Sequence, residues 1–400
     1  MNSIYFTEEH ELFRKSLKDF LQKEVVPHIE KWEKTGTIER FIWKKFGEMG
    51  YFGLNYPEEF GGLNLDLFYT VIFLEEMQKV NSGGFAAAMW AHTYLAMTHL
   101  EKEGSKAIKE KYLTSSIHGE KVGCLCISEP FGGSDVAGMR TTAIKNGNTY
   151  ILNGSKTFIT NGVYSDYLVV AAKTNPELGN KGMSIFVVDR ETSGISAISL
   201  EKLGWKASDT AEIAFDNVVI PAENLMGEEG QGFSYIMQHF ALERIVMGVN
   251  AHARAEYALE YAIQYMSERK AFGKTINKFQ ALRHKVADMA SEIEMCKEFN
   301  YSSIKQRFIY NKNTQKMRMS GEQFNEQYKN KTFVKLTRKN EIHNGFEFKT
   351  GLNIDFNEFN PTGQCKAGGL YFTDIKNISH FFNTGMYVRQ VFLQCMCLCH

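Results

Sequence analysis

The runs Cys124-Leu-Cys-Ile-Ser-Glu-Pro-Phe-Gly-Gly-Ser-Asp135 and Gly154-Ser-Lys-Thr-Phe-Ile-Thr-Asn-Gly162 are the most informative stretches of this 400-residue chain. The first run passes from an apolar strand into a Pro/Gly turn, which leaves backbone N–H groups and small hydroxyls open to a ligand. The second run repeats the arrangement. Two such turns on neighbouring strands can hold a flat ring with polar edges, because Phe158 offers a stacking face and Ser128 and Thr160 offer hydrogen bonds.

An isoalloxazine, the ring system of a flavin, has that shape, and at these residues the chain closely resembles the acyl-CoA dehydrogenase family of flavoproteins. The resemblance runs from about Tyr5 to about Ser302 and depends on the order and spacing of several motifs together. It implies an enzyme that uses FAD to convert an acyl-CoA into a trans-2-enoyl-CoA. The further matching motifs are Tyr56-Pro-Glu-Glu-Phe-Gly-Gly62, Gly204-Trp-Lys-Ala-Ser-Asp209, Leu242-Glu-Arg-Ile245 and Arg269-Lys-Ala-Phe-Gly273.

The composition is that of a folded globular protein, with 44% hydrophobic residues and six prolines. The net charge is zero, but residues 1–300 carry −7 and residues 301–400 carry +7, with the basic excess concentrated in 301–340. No apolar run approaches the roughly 18 residues that span a bilayer. The amino terminus has no features of a signal peptide or presequence, and seven cysteines form no disulfide framework. We therefore expect a cytoplasmic protein.

Hydrophobic periodicity predicts a helical region followed by a β-rich region and a second helical region. Apolar residues recur every three or four positions from Thr7 to Glu33, where Thr7 can cap the helix and Gly36 can end it. Short β-rich segments separated by turns follow from Lys121 to about Val219. Two long helices are predicted after that, from Gly232 to about Met266 and from about Lys278 to Ser302.

These patterns predict an α+β multidomain fold. We expect an N-terminal helical domain at 1–118, a middle β-barrel or sandwich at 119–230, and a partial C-terminal helical bundle at 231–302. The family completes this bundle with further helices, for which we find no counterpart here. A basic linker at 303–332 and a small unrelated α+β module at 333–400 are predicted instead.

Glu243 is the candidate catalytic base. Removing the α proton of an acyl thioester requires a carboxylate in a dry site, since desolvation raises the pKa of the carboxyl group. Helical spacing from Phe240 and Met247 puts Glu243 on the inward stripe. The resemblance points to the same residue, because Leu242-Glu-Arg-Ile245 is similar to the isovaleryl and long-chain branches, which carry the base on this helix. The alternative is a structural Glu243 that pairs with His239 or caps a neighbouring helix.

The resemblance assigns further residues to ligands. Arg244 is similar to the family's arginine at the acyl-CoA site, with a surface ion pair as its alternative role. The resemblance implies that Ser134 lies near both the flavin and the pantetheine of CoA, and that a backbone N–H and a cofactor hydroxyl hold the thioester oxygen. The segment from Glu129 to Gly133 could also be only a tight turn. The residues implied to hold FAD are Leu125, Cys126, Ile127, Ser128, Ser134, Phe158, Ile159, Thr160, Arg269, Phe272 and Gln280.

The corner between the two long helices is implied to reach the FAD of a neighbouring subunit. Arg269 suits a diphosphate because a guanidinium can form two parallel hydrogen bonds, although a helix C-cap with a surface arginine is an equal alternative. The implied assembly is a homodimer or homotetramer, and the implied electron acceptor is an electron-transferring flavoprotein. We expect no metal, nucleic-acid or membrane partner. The ending Cys395-Met-Cys-Leu-Cys-His400 fits structural zinc poorly.

Two other functions remain open at the level of sequence. A chain that keeps the fold but lacks the family's last helices could be a non-catalytic fusion or truncated protein that acts as a binding or interaction module. The same scaffold could also carry a flavin oxidase or monooxygenase. Purified protein that is yellow and is bleached anaerobically by an acyl-CoA would favour the dehydrogenase.

Overall fold

The structure is a computed structural model of the chain. It describes residues 4–316 and five short strands farther along, at 333–337, 342–343, 346–347, 373–374 and 387–391. The chain divides into two compact units, Met1–Lys305 and Gln306–His400. Within the described residues, no helix is both long enough and apolar enough to cross a membrane.

The N-terminal part of the first unit is helical. Three π-helical segments, Leu21–Val25, Ala91–Ala96 and Lys109–Leu113, continue or join α-helices, and a 3-10 turn at Val26–His28 precedes the second α-helix. The α-helices are α1 Glu8–Phe20, α2 Ile29–Thr35, α3 Arg40–Glu48, α4 Leu67–Gln78, α5 Gly83–Trp90, α6 Met97–Glu103, α7 Lys106–Ile108 and α8 Thr114–Ile117.

The ends of the first helical segment follow the sequence prediction. Thr7 caps α1 through a reciprocal pair, in which the Thr7 side chain accepts from the backbone N–H of His10 and the Thr7 N–H donates to His10 Nδ1 at 3.0 Å. Gly36 ends α2 in the left-handed conformation, φ +70°. The continuous helix predicted between these caps is broken, because the chain passes through the π and 3-10 turns at Leu21–His28.

The middle part is one eight-stranded sheet. Its order is β6-β7-β3-β2-β4-β5-β8, and β1 pairs with β4 in parallel. Three of these strands were not indicated by the sequence: β2 and β6 are short and mostly solvent-facing, and β8 has only two residues and follows the predicted β-rich region. The strands are β1 Gly123–Cys126, β2 Thr142–Asn146, β3 Thr149–Thr160, β4 Tyr167–Lys173, β5 Met183–Asp189, β6 Ile195–Ser199, β7 Thr210–Pro221 and β8 Leu225–Met226.

The central strand β4 separates two hydrophobic cores. Its residues Tyr167, Val169 and Ala171 belong to the core shared with the helices, whereas Leu168 and Val170 belong to a second core. This second core also contains side chains from β1, β3 and β7, so the sheet encloses its own interior. That arrangement agrees with the predicted barrel or sandwich.

Two long helices complete the first unit. Helix α9, Gly232–Glu268, packs against α4, and α10 begins at Gln280. The α–β–α order predicted from the sequence is therefore confirmed. Helix α10 extends to Lys316, which is 14 residues beyond the predicted end at Ser302. The basic residues of 303–316 are thus helical, although the sequence alone indicates a linker there.

A buried polar network fastens α9 and α10 to the N-terminal helices. The Glu75 carboxylate of α4 accepts hydrogen bonds from Arg14 at 2.7 Å and from His252 of α9 at 3.3 Å, and it also accepts one from the hydroxyl of Tyr301 of α10. Asn300 bonds the other ring nitrogen of His252 at 2.9 Å. These contacts set the position of α9 along α4.

After the end of α10, the second unit is described through five strands. They are Phe333–Thr337, Ile342–His343, Phe346–Glu347, Thr373–Asp374 and Tyr387–Val391. The strand Phe333–Thr337 pairs antiparallel with Thr373–Asp374 and with Tyr387–Val391. The ending Cys395–His400 lies outside the described residues.

Candidate active site

The two quoted runs meet in space. The first run leaves β1 after Cys126, and most of the second lies in β3. The Thr157 N–H donates to the Ser128 carbonyl at 2.9 Å. Leu125 and Ser128 are half-buried and Ile127 is buried. The segments predicted to hold a flat ring are therefore neighbours. Ser128 and Phe158 are close enough along the paired backbones to contact one ligand, as the prediction requires.

Phe158 presents an aromatic ring to the surface. Its side chain is 72% exposed, and its φ of +60° is rare for a residue with a side chain. The cause is a register irregularity between Lys156 and Ile159, where β3 bulges away from β7. An exposed large aromatic ring held in a strained backbone conformation is a feature that a stacking ligand would explain.

The residues around these turns differ in whether their side chains point into the core of the sheet or toward its surface. The side chains of Cys126 and Ile159 point into the sheet's own core and are buried, so only their backbone groups can face a cofactor. Thr160 is half-buried. Ser134 is exposed at the far end of the first turn, next to Asp135, whose carboxylate accepts from the Gly138 N–H at 3.1 Å.

Glu243 lies on α9, half-buried, and its Oε1 atom is buried with no hydrogen-bond partner among the described residues. Burial raises the pKa of this carboxyl to about 8, against an opposing effect of the adjacent Arg244 guanidinium. Arg244 itself is exposed. A buried carboxyl oxygen without a partner calls for an explanation, and a ligand contact is one that the position on α9 allows.

His239, the alternative partner considered for Glu243, is engaged elsewhere. Its Nε2 lies 3.0 Å from Oε1 of Glu103 on α6. The ring of His99 meets the His239 ring edge to face at 4.7 Å between centroids. The sequence could not indicate this partner, because Glu103 lies 136 residues before His239 along the chain.

The corner between α9 and α10 lies far from Glu243 in the same chain. Arg269 is 26 residues after Glu243, which corresponds to about 39 Å along a helix axis. Arg269 and Gln280 are exposed, and Phe272 is 94% exposed at the tip of a two-stranded hairpin formed by Lys270–Ala271 and Lys274–Thr275. The structure therefore does not bring these three residues to the Glu243 end of the helix.

Sequence reasoning missed Lys156. This lysine is fully buried, and it forms a 2.8 Å ion pair with Glu129, which is also buried. Within the motif Gly-Ser-Lys-Thr the lysine has the pattern of a surface residue, so no local signal indicated its burial. Among the described residues there is also no cluster of three or more His, Cys, Asp or Glu side chains that could hold a metal ion.

The residues present fit a flavin. The Phe158 ring supplies an apolar face, the adjoining turns supply backbone and hydroxyl groups, and Glu243 supplies a carboxyl group with an unpartnered buried oxygen. Chemically, the Phe158 ring and the adjoining turns can bind a planar redox ring, and the Glu243 carboxyl group can take a proton from a substrate.

Family models match most of the chain. "Acyl-CoA dehydrogenase, N-terminal domain" matches residues 7–120, "Acyl-CoA dehydrogenase, middle domain" matches 124–218, and "Acyl-CoA dehydrogenase, C-terminal domain" matches 230–319. The last match extends past Ser302, where we expected the resemblance to stop. It thus includes all of α9 and α10.

Individual proteins give the same result. The long-chain specific acyl-CoA dehydrogenase of Mus musculus is 39% identical, covering 74% of this chain and 69% of its own length. The isovaleryl-CoA dehydrogenase of Arabidopsis thaliana is 38% identical, covering 75% and 74% respectively.

Solved structures agree as well. An acyl-CoA dehydrogenase from Geobacillus kaustophilus is 39% identical with a TM-score of 0.74, covering 76% of this chain and 81% of its own. An acyl-CoA dehydrogenase from Bacillus anthracis, complexed with FAD, is 30% identical with a TM-score of 0.72, covering 80% and 54%.

Proposed function

Because this chain belongs to the acyl-CoA dehydrogenase family, we propose that it catalyses the FAD-dependent α,β-dehydrogenation of an acyl-CoA thioester to a trans-2-enoyl-CoA. The observation that carries the proposal is the buried, unpartnered carboxyl oxygen of Glu243. An oxygen in that state has no competing hydrogen bond among the described residues, so it could accept a substrate contact.

Glu243 is the proposed base. It takes the proton from the α-carbon of the thioester, and its pKa of about 8 lies near the pH at which the reaction would run. General bases are most effective when their pKa is near the operating pH, because the ionised form is then both populated and basic enough. The same pKa allows Glu243 to lose the proton again before the next turnover.

FAD, when bound, supplies the acceptor for the hydride that leaves the β-carbon. The residues proposed to hold it are the half-buried Ser128 and Thr160 at its polar edge and the exposed ring of Phe158 on one face. The backbone of Leu125–Ile127 and Ile159 would line the site. Ser134 and Arg244 are exposed, and they are proposed to contact acyl-CoA.

Negative charge develops on the thioester oxygen as the α proton leaves. Hydrogen-bond donors aimed at that oxygen lower the barrier, because they act in a site from which water is excluded. We propose a backbone N–H of this chain and a hydroxyl of the cofactor in this role.

The proposed assembly is a homodimer or homotetramer. Exposed apolar side chains on α9 and α10 support this proposal, because a monomer would leave them in water. In such an assembly, Arg269, Phe272 and Gln280 would reach the FAD of a neighbouring subunit. The large exposed apolar side chains concerned are Tyr261, Ile263, Tyr265, Met289, Met295 and Phe299. An electron-transferring flavoprotein is the proposed electron acceptor.

Anaerobic titration of the FAD-bound protein with straight and branched acyl-CoAs tests the proposal. The flavin absorbance should bleach with at least one member of the panel. Glu243→Gln should retain bound FAD but lose the bleaching. Glu260→Gln is the matched control, because Glu260 lies on the same helix and is exposed, and this variant should bleach like the parent protein.

Three outcomes contradict the proposal. Undiminished turnover by Glu243→Gln would remove the proposed base. Protein that binds no FAD would favour the non-catalytic interaction module. Reduced flavin that reacts rapidly with oxygen would indicate an oxidase or monooxygenase.

A further inference from the structure

A buried ion pair lies beneath the two turns that carry Ser128 and Phe158. The Lys156 ammonium is 2.8 Å from Oε1 of Glu129, and it also donates to the Ile127 carbonyl at 3.2 Å. The Lys156 residue is 0% exposed and Glu129 is 6% exposed. The pair therefore joins strand β3 to the end of strand β1 from inside the protein.

The Glu129 carboxylate binds a third segment as well. Its two oxygens accept from the backbone N–H groups of Arg140 at 2.6 Å and Thr141 at 3.0 Å, which lie just before β2. The backbone of Glu129 exchanges two hydrogen bonds with Gly132, at 3.0 and 3.1 Å, and these close the first turn. One side chain thus holds the turn, the entry to β2 and the bulge of β3 in a single arrangement.

Such a pair is poorly explained by stability alone. Removing two charges from water carries a large desolvation penalty, and well-packed apolar residues of similar volume stabilise a fold equally well or better. What a hydrogen-bonded buried pair provides is a defined geometry, since each partner must stay where its bonds are satisfied. Here the geometry concerned is that of the bulge at which Phe158 takes its positive φ.

We propose that Lys156 and Glu129 are a positioning pair that orders the first turn and the Phe158 bulge, and thereby forms the flavin site before FAD arrives. The inference rests on the proposed function, since FAD is the ligand that the two turns would hold. Neither side chain contacts the reacting atoms in this scheme. Their effect passes through the backbone of Ser128, Thr157 and Phe158.

The test compares Lys156→Met, Glu129→Gln and the double variant with the parent protein. FAD affinity is measured by titrating the FAD-free full-length chain and following flavin fluorescence, and backbone order is measured by hydrogen exchange in the same FAD-free protein. Lys156→Met should bind FAD at least tenfold more weakly, with a changed visible spectrum of any flavin that binds. The amides of Arg140, Thr141 and Thr157 should exchange faster.

Tyr301→Phe is the matched control. It removes one hydrogen bond from a different buried carboxylate, Glu75, so it should lower stability without changing FAD affinity or exchange near Thr157. Should Lys156→Met fail to fold, the double variant carries the test, because it leaves no unpaired buried charge. It should be more stable than the single variant but should still bind FAD weakly.

The failures can be told apart. If the parent protein binds no FAD, the proposed function fails, and hydrogen exchange still decides whether the pair orders the turns. If the parent protein binds FAD and the variants match it in affinity, spectrum and exchange, the positioning role is overturned. Equal losses in Tyr301→Phe would also overturn it, because the effect would then be one of general stability.

Discussion

The rate of flavin bleaching by acyl-CoA should rise with pH because the proposed base is ionised only above its raised pKa. With the pKa of Glu243 at about 8, roughly 9% of the carboxyl groups are ionised at pH 7 and roughly 91% at pH 9. The second-order rate constant, which reports the free enzyme, should therefore increase about tenfold between these values.

Removing the neighbouring positive charge sharpens this prediction. Arg244 is the group that opposes the rise in pKa, so Arg244→Gln should move the midpoint of the profile to a higher pH. The exposed Glu260 should have no influence, and Glu260→Gln should reproduce the parent profile. Stopped-flow absorbance under anaerobic conditions, at constant ionic strength from pH 6 to 10, measures these midpoints.

A flat profile over this range would refute the reasoning, as would a midpoint below pH 6. Either result would mean that the carboxyl group is solvated in the working enzyme, or that it is not the group that takes the proton. A rate that falls as the pH rises would indicate an essential acid instead.

Four further results are expected. The pKa of Glu75 is lowered to about 2, because His252 and Arg14 stabilise its charge more than burial destabilises it. Ionised Glu75 therefore contributes about 3 kcal/mol to the free energy of unfolding above pH 4.5, and this contribution is lost as the pH falls toward 2. Urea denaturation at several pH values measures the loss. Gly123→Ala should destabilise the fold by about 1–3 kcal/mol or more, because its Cβ would lie 2.2 Å from a ring atom of Tyr167; a thermal midpoint equal to that of the parent would be inconsistent with this packing. Thr7→Ala removes a helix cap and should cost about 1 kcal/mol in denaturant unfolding, with Thr7→Ser as the conservative control. Phe158→Ala should weaken FAD binding up to about tenfold in fluorescence titration, through loss of stacking, and unchanged affinity would exclude the stacking role.

Local features of the fold could be predicted from the sequence. The cap at Thr7, the stop at Gly36 and the two long helices all follow from signals within a few residues. Helical spacing from Phe240 and Met247 predicts an inward Glu243, and burial of its Oε1 agrees with that. Met247 itself, however, is 45% exposed, so the predicted inward stripe is wrong at that position. The family motifs then indicated which chemistry such a carboxyl group would serve.

Features that depend on distant partners could not be predicted. The buried state of Lys156 requires Glu129, which lies 27 residues away, and the engagement of His239 requires Glu103. Helix α10 continues past the predicted end at Ser302 to Lys316, and Tyr301 and Ile304 are buried near that point. The sequence did not indicate the continuation, because the basic residues that follow show no apolar periodicity.

The backbone at Phe158 restricts how this position can change during evolution. Single-base changes of a phenylalanine codon reach Ile and Val, which are apolar and common in strands. Both are β-branched and tolerate a φ of +60° badly. Purifying selection should therefore remove Ile and Val at position 158 and retain unbranched aromatic residues. A saturation library screened for soluble protein would reveal this bias even without a flavin in the assay.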